Sequence, residues 1–416
     1  MTTPEKMPGL GPFLGISNRR EDFLLHTKDG DYLKGAENVD ITNQGSIKRR
    51  RGASKIVSCS DGHSLYGNEF ATFYADGPTL YRVKGDDAVA VVSIKQFDGV
   101  TPVALPFRRQ LSFAHDGINT IFSDGLANWR ILSDDRAAPL GPPSPNRVAL
   151  TTAGTGGALA AGLYTVVITY LDAAGRESEA DAYQVEVAAA GTVVISSLPA
   201  TFPTWVAAIQ IYITQPNGDV PFLERQMLAP STTITIALAP HAGGRCLTRG
   251  LDPMPAGDIL RFGNGRTWSA KGNIAYYSEP WAVHLNNLGF IPFPHNVTLL
   301  EVVPGGTFIG TSTHTYFVGA NPEAGEFTTI FPYGAIPRTS GRLPESTGCF
   351  WMSTRGLCVG SADGTVKNLQ ESEIFIDPAR VGATMVREQD GLRQYIAGLF
   401  DNSAAHTSVG SFMEAV

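Results

Sequence analysis

The best candidates for chemistry in this 416-residue chain are Glu279, Trp281 and His284, three side chains within one short segment. An aromatic face beside a carboxylate suits a pyranose ring, so this loop is a candidate glycan site. A glycosidase would also need a second carboxylate roughly 5–10 Å from the first. Asp76, Asp116, Asp124, Asp363 and Asp390 offer carboxylates, but each precedes a glycine, and turn chemistry is sufficient explanation for all of them. The eight histidines are isolated from one another, and no H-E-x-x-H, H-x-H, G-x-S-x-G or G-x-x-x-x-G-K-[ST] pattern occurs. Gly154-Thr155-Gly156-Gly157 has a phosphate-friendly composition, yet no apolar strand leads into it and no helix follows, so it reads as a loop. No catalytic, metal or cofactor set is assembled, and the chain reads as a non-enzyme.

Lys48-Arg49-Arg50-Arg51 is the one dense basic patch. Its three readings are an intersubunit or adaptor contact, a contact with DNA phosphate, and a solvated strand end. The formal net charge of −7 gives no overall drive toward nucleic acid. Cys59, Cys246, Cys349 and Cys358 are scattered without a C-x-x-C pair, so reduced thiols are expected rather than a disulfide framework or structural zinc. Met1–Leu10 is polar and proline-bearing, and no run approaches the ~18 apolar residues of a membrane span. Synthesis in the cytoplasm without a signal peptide is the expectation.

The elements that would position these residues are strands. With 45 glycines and 27 prolines the chain is rich in turns. A unit of apolar strand, tight turn and apolar strand recurs five times, at 72–83, 111–122, 268–277, 308–317 and 350–359. The first two copies lie about 40 residues apart, the repeat of a β-propeller blade; an irregular array of β-sandwiches is the alternative. At Ala138–Pro145 four prolines in seven residues break the pattern into a stiff linker. About seven short alternating strands follow, which suits an immunoglobulin-like or fibronectin-III-like sandwich with Tyr164, Tyr170 and Tyr212 mainly in its core. The expected organisation is all-β, a β-propeller-like domain interrupted by that sandwich. Its segments are an N-terminal arm with first strands (1–52), a first propeller part (53–141), the insert (142–251), a second propeller part (252–377), and closing strands with a polar tail (378–416). Residues Asp401–Val416 are expected to fray or to dock on a neighbour, and no long amphipathic helix is expected.

Several segments carry a resemblance. Glu37-Asn38-Val39-Asp40-Ile41, Gly45 and Lys48-Arg49-Arg50-Arg51-Gly52 resemble the opening of tail hub and nozzle proteins of short-tailed bacteriophages. Ala275–Trp281, Phe290–Phe293 and Val297–Leu300 are similar to that family's later propeller segments, and Ala383–Gly391 with Arg393-Gln394-Tyr395 to its closing strands. Gly162–Glu179 is similar to fibronectin-III-like modules of phage tail proteins. The resemblance implies a non-enzymatic virion protein assembled in the host cytoplasm. It implies a ring, commonly a hexamer, that extends the channel of portal and adaptor proteins, attaches other tail proteins, and retains or passes genomic DNA without reading its sequence. A carbohydrate-binding or carbohydrate-cleaving propeller for host recognition is the alternative function.

Overall fold

A computed structural model describes residues 12–35, 39–41, 45–49, 57–84, 90–106, 109–145, 150–238, 243–342, 348–389, 392–401 and 411–415. The chain is all-β and β-propeller-like. Among the described residues the helical elements are two single turns of 3-10 helix, Asp22–Leu24 and Pro322–Ala324, and no helix is long and apolar enough to cross a membrane. Five four-stranded sheets, each ordered as the chain runs, carry the repeat. Sheet A is Gly62–Gly67, Thr72–Asp76, Thr79–Lys84 and Ala90–Ser93, and sheet B is Ser112–His115, Thr120–Ser123, Asn128–Ile131 and Ala137–Pro139. Sheet C is Ile259–Gly263, Arg266–Lys271, Ile274–Tyr277 and Phe290–Pro292. Sheet D is Val297–Val303, Gly306–Thr311, Thr315–Gly319 and Phe327–Phe331, and sheet E is Gly341–Arg342, Cys349–Ser353, Gly356–Gly360 and Val366–Asn368. All five hairpins read from the sequence are present. Four form the middle pair of their sheet, whereas in sheet B the hairpin supplies the first two strands. The proline-rich break begins later than its composition suggests, because Ala137–Pro139 is the fourth strand of sheet B, an edge position where proline costs no ladder bond.

Two compact units are drawn from the chain, one from residues 59–269 and 276–290, the other from 1–58, 270–275 and 291–416. In the first unit, alternate residues of sheet B go to opposite cores. Phe113, Phe122 and Ile131 join Phe73, Ala75 and Leu80 of sheet A, while Ala114 and Ile121 join Leu140, Met254 and Leu260. A run of aromatic contacts (Phe73–Phe113, Phe113–Phe122, Phe122–Trp129) spans the first of these cores at centroid separations of 5.7–6.3 Å.

The second unit repeats the device. Cys349, Trp351 and Cys358 of sheet E pack with Phe308 of sheet D, and the intervening Phe350, Met352 and Leu357 pack with Tyr395, Ala397 and Leu399. Strands buried on both faces lose the apolar–polar alternation of a half-exposed sheet, which is why these segments read as continuous apolar runs. The closing sheet pairs Arg380–Gln389 with Leu392–Asp401, and Ser411–Ala415 adds a third strand in a stretch expected to fray or dock. The first strand also departs from expectation, since Gly15 lies in Phe13–Ile16, which pairs in parallel with Gly30–Leu33, rather than in an unpaired arm. The same N-terminal stretch is sewn to 371–375. Asn18 and Phe375 exchange two 3.0 Å hydrogen bonds, and Arg20 forks onto Glu373 at 2.6 and 2.7 Å while lying 4.3 Å over Tyr32.

The insert is a two-sheet sandwich inside the first unit. Leu150–Leu159, Gly191–Ser196 and Thr233–Ile236 form one sheet, and Asp181–Val187, Gly162–Leu171, Ala208–Ile213 and Phe222–Met227 the other. One core joins them, with Leu159, Val193, Ile195 and Ile234 facing Tyr164, Val166, Ile168 and Ile211. The first, fourth and seventh strands share a sheet. An immunoglobulin layout instead groups the first, second, fourth and fifth, so the architecture matches the expectation and the strand order does not. Two further corrections belong here. Gly154–Gly157 is not a loop but part of the strand Leu150–Leu159, where pairing to Gly191–Ser196 slips between Ala153 and Leu159 and both Gly156 and Gly157 donate to the Ala190 carbonyl. Tyr212 faces away from the main core, toward Val167 and Cys246.

Candidate functional site

Lys48 and Arg49 lie on the exposed strand Ile47–Arg49, paired with Val39–Ile41 so that Lys48 stands opposite Asp40. Arg50 and Arg51 lie outside the described residues. The strand-end geometry leaves the two described cations facing solvent, as a contact patch requires.

The glycan trio does not converge. Trp281 is 54% exposed, but His284 is only 6% exposed and its ring is turned inward, with Nε2 bonded to the Glu177 carbonyl at 2.7 Å. Glu279, half-buried, is fixed at its backbone, where its N–H donates to the Leu285 carbonyl at 2.9 Å. A stacked sugar on Trp281 therefore could not reach the imidazole, and the site expected from spacing is withdrawn. The Asp-Gly carboxylates behave as turn residues. Asp116 accepts from the N–H groups of Ile118 and Asn119, Asp124 from Leu126, Ala127 and the Trp129 indole, and Asp363 from Thr365. Asp76 caps Ser60 and Asp61, and Asp390 lies outside the described residues.

His284 belongs instead to a buried polar junction at the root of the sandwich, which the sequence reading missed. Arg130, in the third strand of sheet B, is 7% exposed and donates Nη2 to Asp172 Oδ2 at 2.8 Å. Asp172, 3% exposed, sits in the tight turn 172–175 that ends the sandwich strand Gly162–Leu171. Arg176 donates Nε and Nη2 to the same oxygen at 2.9 and 2.7 Å, and Oδ1 accepts from the backbone N–H of Ala174 and Arg176, both at 2.9 Å. Burial pushes the Asp172 carboxyl up, and the Arg130 charge and the Ala174 N–H pull it back down. Burial lowers the Arg130 guanidinium against the opposing pull of Asp172. His284 is likewise lowered by burial, against its bond to Glu177, which leaves a neutral ring that donates from Nε2. Both linkers of the sandwich end here. A Cβ on Gly141 would stand 2.4 Å from His284 Cδ2, so the entry linker can pass the imidazole only as glycine. On the exit side Met254 N–H donates to the His284 carbonyl at 2.9 Å, and Asp252 and Pro253 pair with Asn286 and Leu285.

The far side of the Glu177 turn is polar too. The Glu177 carboxylate accepts from Thr169 and from the Tyr212 hydroxyl, at 2.5 and 2.6 Å. A second, half-exposed footing lies on a loop of the sandwich. Trp205, held at φ +68°, meets Phe97 edge-on at 4.7 Å, and Arg136 lies over both rings while paired with Asp134. A bulky residue in the left-handed region is strained, so this loop holds Trp205 in place against an intrinsic cost. The signal available in sequence was an arginine at position 130 inside the apolar strand Trp129-Arg130-Ile131; a lone cation there needs a buried partner.

No family model and no curated protein matches the chain. Among solved structures it is similar to the extracellular domain of BT4673 from B. thetaiotaomicron, described as a one component system, at 10% identity and TM-score 0.34, covering 89% of this chain and 47% of that one. The chain thus spans about half of that protein's length. It is also similar to BBS1N in complex with ARL6DN, at 11% identity and TM-score 0.34 over 86% of this chain and 93% of that one. A third likeness is to the AfRom2 CNH domain, at 8% identity and TM-score 0.29 over 85% and 94% of the two chains. Likenesses of this size do not define a family.

Proposed function

We propose that this protein is a structural virion component, a ring-forming tail hub or nozzle subunit and not an enzyme. Its work is mechanical: it extends the channel of the portal and adaptor, attaches neighbouring tail proteins, and lets genomic DNA pass without sequence-specific binding. Copies close into a cyclic homo-oligomer, a hexamer by resemblance, within a tail assembled in the host cytoplasm.

The observation that carries this reading is how the polar groups are used. The carboxylates of Asp76, Asp116, Asp124 and Asp363 are tied into turns and the buried histidine into the junction, while apolar side chains stand out at turns of sheets A and B. Phe70 is 58% exposed and stacks on His115, and Ile118 is 85% exposed. Large exposed apolar groups of this kind suit surfaces that an assembly covers. The alternative of a carbohydrate-handling propeller loses its best support with His284 turned inward. Electron microscopy of the particle and native mass spectrometry of the purified chain test the proposal: a closed ring of copies in the tail is expected, and a single central copy per particle overturns it.

A further inference from the structure

Three polar atoms at the root of the sandwich are buried without a protein partner: Asn128 Oδ1, Arg130 Nε and His284 Nδ1. They converge. Asn128 and Arg130 alternate around Trp129, which packs on Phe122, so both point to the opposite face of their strand. Asn128 Nδ2 donates to the Met254 carbonyl at 2.8 Å, and the Met254 N–H donates to the His284 carbonyl at 2.9 Å. From the other side, the Leu140 N–H donates to the Asn128 carbonyl at 2.9 Å, and the next residue, Gly141, lies against the His284 ring. Arg130 reaches Asp172, whose charge acts on His284.

We propose that Asn128, Arg130 and His284 enclose one buried binding site whose ligand is a single internal water, joining sheet B to the segments on which the sandwich enters and leaves. The chemistry of the three atoms selects the ligand. Asn128 Oδ1 and the Nδ1 of the Nε2-protonated ring are acceptors, and Arg130 Nε–H is a donor. An anion would meet two acceptors, and a cation would meet Arg130 and Arg176 with only Asp172 to offset them. A neutral molecule with two protons to give and a lone pair to receive satisfies all three, and three hydrogen bonds is the usual complement of a buried water. The water would also explain why neither Arg130 Nε nor His284 Nδ1 finds a protein partner so deep in the structure, since such atoms are costly when left unpaired.

The test is a crystal structure of the whole chain at a resolution that orders waters, with water-to-protein cross-relaxation measured by NMR on the same protein. One density peak within hydrogen-bonding distance of all three atoms, and a long-lived water exchanging magnetisation with this cluster, are expected. The proposal fails if the site is dry, or if Arg130 Nε bonds directly to Asn128 Oδ1 or His284 Nδ1. In the Arg130→Lys variant, which keeps a cation for Asp172 and lacks Nε, the peak should be lost from its three-way position. A peak that stays in place would show that the guanidinium is not part of the site. Should that variant not fold, the wild-type structure and its cross-relaxation decide alone.

Discussion

Replacing Asp172 by Asn is the sharpest test of the junction, because it removes one charge and changes almost no volume. Asp172 receives five hydrogen bonds: three guanidinium N–H groups on Oδ2 and two backbone N–H groups on Oδ1. An asparagine has one acceptor oxygen. In one orientation its amide nitrogen faces both arginines; in the other it faces the Ala174 and Arg176 N–H groups. Either way donors confront donors, and Arg130 keeps a buried charge with no counter-ion. Removing one partner of a buried pair costs about 3–5 kcal/mol. Arg176, with 19% of its side chain exposed, recovers part of its solvation, which places the expected loss toward the lower end of that range. For a unit of this size the loss corresponds to a fall in Tm on the order of 10 °C. The assay is denaturant unfolding of wild type, Asp172→Asn, Arg130→Met and the double variant Arg130→Met/Asp172→Leu. The double variant should recover most of the loss, since replacing a buried pair by apolar groups is often close to neutral. A loss under about 0.5 kcal/mol in Asp172→Asn, the range of ordinary surface changes, would refute the reasoning.

Four further outcomes follow from the same structure. His284 is held below its ordinary value of 6.5, so the unfolded chain binds its proton first; its contribution is complete above that value and is lost as pH falls through it, a limb that His284→Gln should flatten in denaturation curves against pH. Glu373, held at about 2 by its bonds to Arg20, contributes stability that is full above its ordinary 4.5 and disappears as pH falls toward 2; Arg20→Ser should remove this acid limb, and an unchanged acid profile would contradict the assignment. If the proposed tail role holds, serine at positions 48–51 should leave the fold intact by circular dichroism and weaken assembly, with salt weakening the wild type in the same sense; normal assembly would return the patch to a solvated strand end. Bridging 146–249 with a short Gly/Ser linker should destabilise the remaining sheets unless Arg130→Met is added, because the deletion strips Arg130 of Asp172; equal melts with and without Arg130→Met would show that the junction contributes nothing.

How much of this was legible beforehand depended on range. The five hairpins were readable because Asp-Gly and similar turns sit between apolar strands only a few residues apart, and all five are present. Their slot within each sheet was not, since it depends on which flanking segment pairs next; Ser112–His115 became an outer strand only because Asn128–Ile131 and Ala137–Pro139 follow on one side. The Gly154–Gly157 run misled because the glycines that make a cradle also permit a slipped strand. Tyr212 misled because its strand is buried on both faces, so alternation could not say which core each residue joins. The junction was out of reach for a different reason. Arg130, Asp172 and His284 come from three distant segments, and no local pattern ties a cation in a strand to a carboxylate in another module's turn. Equally, the trio Glu279, Trp281 and His284 looked like a site because sequence proximity was taken for a shared face.

The two footings of the sandwich differ in kind, and this bears on how the module would behave under load. The root is buried, charged and short-ranged; the Trp205 footing is half-exposed, aromatic and mounted on a strained loop. With both engaged the module cannot swivel, because a rigid body fixed at two separate points has lost its rotational freedom. A pull on the module would part the aromatic footing first, since releasing it relieves the backbone at Trp205, while the root gives way only at the cost of stranding a buried charge. What remains after the first step is an intact sandwich pivoting on Asp172, a lever whose fulcrum is set by one carboxylate.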